Sequence, residues 1–343
     1  MHKFDGEFAE FFDDPIIRQL LAKDAEGHCL LFALKEEKER LWDVERFRAF
    51  RRALSHNPHL LRGKVVLTLR SGLGLTAIWP ARAGAARVIC VENSPAIEFI
   101  RERVKLEGLN NVSCVQGAPE ELGLQPDSVD VLVADWPGYF GVNQPFIYEL
   151  IRVRELCLRP GGAVLPDRLS FSAACFADEA AHRERFGFWD SVYDFAMPSM
   201  KSVCFGEAVF ERVDPRCLVS HARTVKTLDL ATATPADLAF RARATLELRR
   251  RPAVVHGLAL WFDVAFTRCH VPLELRSSPF KSTTDVSNVR LFFRRPVRVE
   301  GHEHVHLTLT VSNLSENVSQ TRVDATLALE GSDYAFSQSF LMK

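Results

Sequence analysis

Between residues 64 and 135, short apolar runs alternate with helical patterns, and this alternation constrains the chain more than any other feature. Strands are predicted at Lys64–Leu69, Arg87–Val91, Val112–Val115 and Val129–Ala134. Helices are predicted at Gly72–Ala83, after a glycine turn, and at Pro95–Glu107. Each strand is too short to stand alone. Strands separated by helices of this length pair in parallel, with helices covering both faces. A further helix, Pro145–Leu158, closes on the turn Arg159–Gly162. In such a sheet, ligands sit at the carboxyl ends of the strands.

Upstream, residues 36–54 read as one amphipathic helix, with Leu41, Val44, Phe47, Phe50 and Leu54 on its apolar face and His56-Asn57-Pro58 as its stop. Residues 1–34 carry Phe4, Phe8, Phe11, Phe12, Ile16, Ile17, Leu20 and Leu21 at helical spacing. They read as a helical, partly flexible segment that packs back on its own domain or docks a partner. After Asp167 the pattern changes to period two, with Val305, Leu307, Leu309 and Val311 in one strand and Val323, Ala325, Leu327 and Leu329 in another. The expected divisions are therefore 1–35, 36–167 and a mainly β part, 168–343, interrupted by the irregular stretch Phe188–Gly206.

A chain of 343 residues is long enough for two domains with real cores. A net charge of −1 gives no global field for nucleic acid. No apolar run reaches the ~18–20 residues that span a bilayer. The eight cysteines form no C-x-x-C pair and no secretory leader is read before them. They are expected to be free thiols in a reducing compartment, the cytosol favoured. The sequons at Asn111, Asn313 and Asn317 then carry no weight.

Several residues stand where chemistry is done. Gly72 and Gly74 follow the first strand, where backbone must approach a ligand. Arg70 stands immediately after that strand. Glu92 ends the second strand, placed to accept from ribose hydroxyls or to cap the strand end. His302, His304 and His306 alternate along one strand and read as a solvated face, because no Cys or acid cluster completes a metal site. Arg249–Arg251 and Arg294-Arg295 read as surface turns. Trp189, Tyr193, Phe195, Met197 and Met200 crowd the insertion, and residues of these types enrich interfaces.

The segments VVLTLRSGLG, AGAARVICVENS, DWPGYFG, LRPGGAVLPDR, FWDSVYDFAM, VDPRCLVS and WFDVAFTRCH together resemble the protein arginine methyltransferases, from about residue 36 to the end. The resemblance implies a Rossmann-like S-adenosylmethionine domain followed by a β-barrel, with a dimerisation arm inserted at about 183–219. It matches Arg46 to the arginine on the cofactor carboxylate, Glu92 to the ribose acid and Glu120 to an acid near the adenine. The unspecialised readings are a solvated helix arginine, a strand-end cap and a loop acid.

The chain also departs from the family pattern. Thr68 replaces the acid of the glycine motif, and Arg70 replaces its first glycine, where a guanidinium is expected to fill the methionine end of the pocket. The two clamping glutamates become Asp135 and Gln144. Gln144 cannot make a charge-assisted bidentate pair with guanidinium, and losing one partner of such a pair costs ~2–5 kcal/mol. The T-H-W loop lines up with Thr284, Asp285 and Val286, and Cys29–Phe32 occupies the place of the N-terminal tyrosine motif. These departures lead to the expectation of a non-enzyme: a regulatory, prozyme-like subunit that binds no cofactor itself, with S-adenosylmethionine held only by its partner. It would form a heterodimer or heterotetramer with an active arginine methyltransferase paralogue and touch the protein substrates of the complex. The alternatives are an active but atypical arginine N-methyltransferase and an RNA-binding scaffold.

Overall fold

A computed structural model of the chain describes residues 38, 40–135, 140–142, 145–249, 252–281, 284–301, 303–314 and 320–342. The segment 1–34, Gln144, His302, Arg250 and Arg251 lie outside the described residues. The chain divides into two compact units. One takes Met1–Asp135, Arg152–Pro166 and Phe266–Leu273; the other takes Trp136–Ile151, Asp167–Ala265 and Glu274–Lys343.

The first unit is built on a parallel sheet of β1 (Val65–Leu69), β2 (Arg87–Glu92), β3 (Val112–Gln116), β4 (Val129–Ala134) and β5 (Leu158–Leu165), in the order β3-β2-β1-β4-β5. Its interior strands are almost continuously buried, as a sheet covered on both faces requires. Single turns aside, the helices that matter below are α1 (Val44–Ser55), α2 (Leu75–Arg82), α3 (Ile97–Leu106) and α4 (Pro145–Cys157). The predicted turn Arg159–Gly162 is an excursion within β5. Val129 pairs with Leu158 and Val131 with Ala163, so the extra residues loop out between those pairs.

The helix read across 36–54 is not continuous. Asp43 leaves helical geometry, and its side chain accepts from the Arg46 backbone N–H, starting α1 afresh. An aspartate competes for backbone donors in this way and so favours the cap over the helix interior. The break resets the helix face. Val44 is 51% exposed, while Ala49, Phe50, Ala53 and Leu54 form the buried stripe together with Arg46.

The second unit is antiparallel and β-barrel-like. One sheet runs β7 (Val209–Glu211), β12 (Asn288–Val299), β10 (Ala253–Phe266), β6 (Arg168–Phe176), β8 (Arg223–Asp229), with β11 (Leu273–Arg276) on β10; the other runs β15 (Ala335–Met342), β14 (Thr321–Leu329), β13 (His304–Asn313), β9 (Phe240–Glu247). The predicted period-two runs become β13 (His304–Asn313) and β14 (Thr321–Leu329). Their apolar residues face each other in register: Val305 with Leu329, Leu307 with Leu327, Leu309 with Ala325, and Val311 with Val323. Phe171 of β6 (Arg168–Phe176) lies 5.5 Å from Phe240 of β9 (Phe240–Glu247), so the core joins the two sheets. Among the described residues, no helix is long and apolar enough to cross a membrane.

Gly257 lies at an irregularity of β10 (Ala253–Phe266), where the pairing with β12 shifts. A Cβ there would come 2.7 Å from the Phe176 ring and collide with the Leu291 carbonyl. Backbone cannot step aside as a side chain can. Gly257→Ala is therefore expected to destabilise the protein by the upper part of the ~1–3 kcal/mol typical of overpacking, or more. Urea unfolding monitored by circular dichroism measures this.

Candidate functional site

The strand order reverses between β1 and β4, so the crevice beyond their carboxyl ends is the switch point where this fold places ligands. The turn after β1 delivers Arg70, Ser71, Gly72 and Gly74 there; the end of β4 delivers Asp135; and α1 delivers Arg46.

Asp135 is the centre of the site. Its residue is 4% exposed and that of Arg46 is 5% exposed. Arg46 donates to Oδ1 from Nε at 2.9 Å and from Nη2 at 2.5 Å. Arg40 donates from Nη2 to Oδ2 at 2.8 Å and to the Asp135 carbonyl at 3.2 Å. The break at Asp43 lets residues from both sides of it reach one carboxylate. Burial alone would raise the Asp135 pKa. The charges of Arg46 and Arg40, with their hydrogen bonds, outweigh burial and hold the group below the usual carboxylate range.

The turn after β1 keeps the geometry of a glycine loop. Arg70 has φ 51°, the left-handed conformation of the glycine it stands for, and it is exposed to solvent. Gly72 and Gly74 have φ 55° and 85°. A Cβ on Gly74 would meet Ile100 of α3 at 2.8 Å, so close packing as well as dihedral requires glycine there. Glu92 accepts from the Gly72 N–H at 3.1 Å and from the Ser94 N–H at 3.0 Å, tying the turn to the end of β2. Thr68 and Ser71 share a hydrogen bond of 2.7 Å. Thr76 Oγ1, in the first turn of α2, is buried without a hydrogen-bond partner.

The other predicted positions fall elsewhere. Glu120 is exposed and pairs with Arg152. In the second unit, Thr284 is buried, and its carbonyl accepts from Arg212, which also bonds the exposed Asp285; the Val286 N–H donates to Thr284 Oγ1. His304 faces Glu330 and His306 faces Thr245, in keeping with a solvated face. No metal-holding group of three occurs among the described residues. The insertion is anchored by Phe186 and Phe205, buried and stacked at 3.8 Å. Between these anchors, Tyr193 is 92% and Phe195 70% exposed, Met200 is exposed, and Trp189 and Met197 are half-buried. Tyr193 and Asp194 both have positive φ, closing a tight turn whose flanking residues Val192 and Phe195 exchange backbone hydrogen bonds.

Sequence reading missed Arg40 and Thr76. The signal for Arg40 was the aspartate at 43, which as a cap would have split the helix and turned Arg40 toward the sheet. Nothing in the sequence distinguishes Thr76 from any other helix threonine.

Residues 168–332 match a family model described as the arginine methyltransferase oligomerization subdomain. Protein arginine N-methyltransferase 1 of Schizosaccharomyces pombe is 30% identical over 288 residues, 84% of this chain and 84% of the relative. Protein arginine N-methyltransferase 1.1 of Arabidopsis thaliana is 30% identical over 303 residues, 88% of this chain and 77% of the relative. Among solved structures, the Trypanosoma brucei PRMT1 enzyme–prozyme heterotetrameric complex with AdoHcy superposes with a TM-score of 0.85 at 27% identity, covering 89% of this chain and 97% of that one. Arabidopsis thaliana protein arginine methyltransferase 10, in an open conformation, superposes at 0.81 with 23% identity, covering 90% and 98%, a likeness of fold.

These relatives overturn two expectations. The chain was expected to be no enzyme, yet the S. pombe and A. thaliana proteins it resembles along most of its length are named N-methyltransferases. No cofactor was expected, yet the T. brucei complex is one with AdoHcy. The expectations weighed the identities of single residues, while the turn at Arg70 keeps its left-handed backbone and Asp135 keeps its charge.

Replacing Asp135 with Asn leaves two guanidiniums facing a neutral group, and breaking a buried pair costs about 3–5 kcal/mol. Because the folded pKa of Asp135 is depressed, its contribution is complete above the ordinary Asp value of about 3.9 and drains away as pH falls below it. Asp135→Asn is expected to lower stability at neutral pH and to flatten the acid limb. Stability against pH, by denaturant titration of both proteins, tests this.

Proposed function

Because the chain belongs to the protein arginine methyltransferase family, we propose that it is an S-adenosylmethionine-dependent protein arginine N-methyltransferase with an atypical substrate clamp. In this assignment, residues 36–167 form the methyltransferase domain. Residues 168–343 form the β domain, with the pairing arm at about 183–219. The observation that carries the reading is Asp135, a buried carboxylate at the switch point that already binds guanidinium groups.

The residues present fit the methyl donor. Glu92 is placed for ribose hydroxyls and is held by two backbone donors. Arg46 uses Nε and Nη2 on Asp135, which leaves Nη1 for the donor's carboxylate. Thr76 Oγ1 is an orphaned buried hydroxyl just past the glycine turn, and a bound polar group would satisfy it. When bound, the donor supplies a methyl group activated by its sulfonium.

Asp135 then orients the substrate arginine. Its lowered pKa makes it a weak base, so it fixes and neutralises the guanidinium and does not carry off the proton. Arg46 is buried and holds Oδ1, whereas the Arg40 side chain is 25% exposed on Oδ2. Arg40 is thus a placeholder that the substrate guanidinium displaces. Asp135 is one methylene shorter than the glutamate of the family pattern, and the approach of α1 brings guanidinium to it.

Exposed aromatics on a tight, left-handed turn support pairing through the arm. The T. brucei heterotetramer joins an enzyme and a prozyme. In line with that complex, a second family member is the proposed partner, and the assembled oligomer is the active form.

Four measurements follow. Calorimetry with S-adenosylmethionine and transfer of labelled methyl to an arginine-rich peptide are expected to be positive for the chain alone or with a family partner; silence in both settings would sink the reading. Arg40→Ala is expected to lower KM for the peptide roughly fivefold, the equivalent of ~1 kcal/mol for a partly exposed pair, at little changed kcat. A raised KM would show that Arg40 helps substrate binding. The double variant Tyr193→Ala, Phe195→Ala is expected to shift the mass measured by light scattering from oligomer to monomer.

A further inference from the structure

Cys90 on β2 and Cys114 on β3 are direct partners in the parallel register, and Thr68 of β1 pairs with Cys90 on its other side. Partners in one register row point to the same face of a sheet. Neighbouring strands lie about 4.8 Å apart, inside the ~4.4–6.8 Å Cα separation that a disulfide spans. The two thiols are neighbours, and the hydroxyls of Ser71 and Thr68 stand close to Cys90. Both cysteines are free.

The two positions differ in access. Cys90 is fully buried on an interior strand, while Cys114 is half-exposed on the edge strand β3. The adjoining Cys90 thiol and the charge of Arg101 favour the thiolate of Cys114, while Cys90 is held as the thiol. One sulfur is therefore the nucleophile that meets solutes, and the other is the resolving partner directly behind it.

We propose that Cys90 and Cys114 form a dithiol–disulfide couple, oxidised by low-molecular-weight disulfides and set beside the glycine turn. The Cys114 thiolate attacks one sulfur of oxidised glutathione and expels a glutathione thiolate, leaving a mixed disulfide. Cys90 gives up its proton and attacks Cys114 Sγ, expelling the second glutathione thiolate. One protein dithiol and one oxidised glutathione become one protein disulfide and two reduced glutathiones. The Cys90 sulfur is drawn toward β3 and away from Thr68 and Ser71, the hydrogen-bonded pair that sets the start of the turn.

The test is independent of methyl transfer. The full chain is equilibrated in glutathione buffers of graded redox ratio, quenched by alkylation and digested with trypsin, which places Cys90 and Cys114 on separate peptides. The expected result is a cross-linked peptide pair joining the two, lost on treatment with dithiothreitol. Cys90→Ser is expected to stop at a stable glutathione adduct on Cys114, and Cys114→Ser to leave Cys90 unmodified. Accumulation of the Cys114 adduct in the unaltered chain without the cross-link would overturn the proposal. So would oxidation at Cys204 or Cys217 while the pair stays reduced.

Discussion

The site depends on a carboxylate that is held from two sides. Asp135 ends the strand next to β1, out of reach of bulk water, and Arg46 and Arg40 close on its two oxygens. A buried acid on its own would titrate upward; this one titrates downward because the two guanidiniums more than compensate for burial. The same contacts fix where α1 lies over the sheet. Arg46 belongs to the buried stripe that includes Phe50 and Leu54, so the ion pair and the apolar contact are satisfied by one placement of the helix.

The helix break at Asp43 is what makes this geometry available. In an uninterrupted helix, Arg40 and Arg46 would stand six positions apart and point well away from each other. With the chain turning at Asp43, each approaches from its own side. The local preference of an aspartate for capping thus decides which cations surround the buried acid. Sequence, local conformation and site chemistry are linked through this residue.

Much of the fold was legible because burial imposes simple periods. A strand covered on both faces is nearly all apolar, and Val129–Ala134, with Asp130 near its start as the exception, was read to the residue. Paired strands with one buried face must alternate, and β13 and β14 do so with their apolar residues opposite one another. What sequence could not give was which charges meet. Arg46 and Asp135 are 89 residues apart and were assigned to different ligands; the structure joins them. Glu92 was read as either ribose acid or strand cap; its carboxylate accepts from the N–H groups of Gly72 and Ser94. The largest error was to infer lost chemistry from changed identities. Arg70 was expected to fill the methionine end of the pocket; its backbone keeps a left-handed turn and its residue is exposed.

Buried ion pairs are poor devices for stability, since desolvating the charges offsets most of what their attraction contributes, and apolar residues of similar volume often serve as well. The cluster around Asp135 therefore calls for another explanation. Its place at the strand-order reversal, beside a glycine turn held by Glu92, is where this architecture binds ligands and not where it needs extra cohesion. In the proposed reading, a carboxylate kept ionised and aimed at guanidinium costs the fold something, and selectivity toward arginine would account for that cost. A neutral residue at 135 would leave Arg46 and Arg40 without a counter-charge and could not form an ion pair with a further guanidinium.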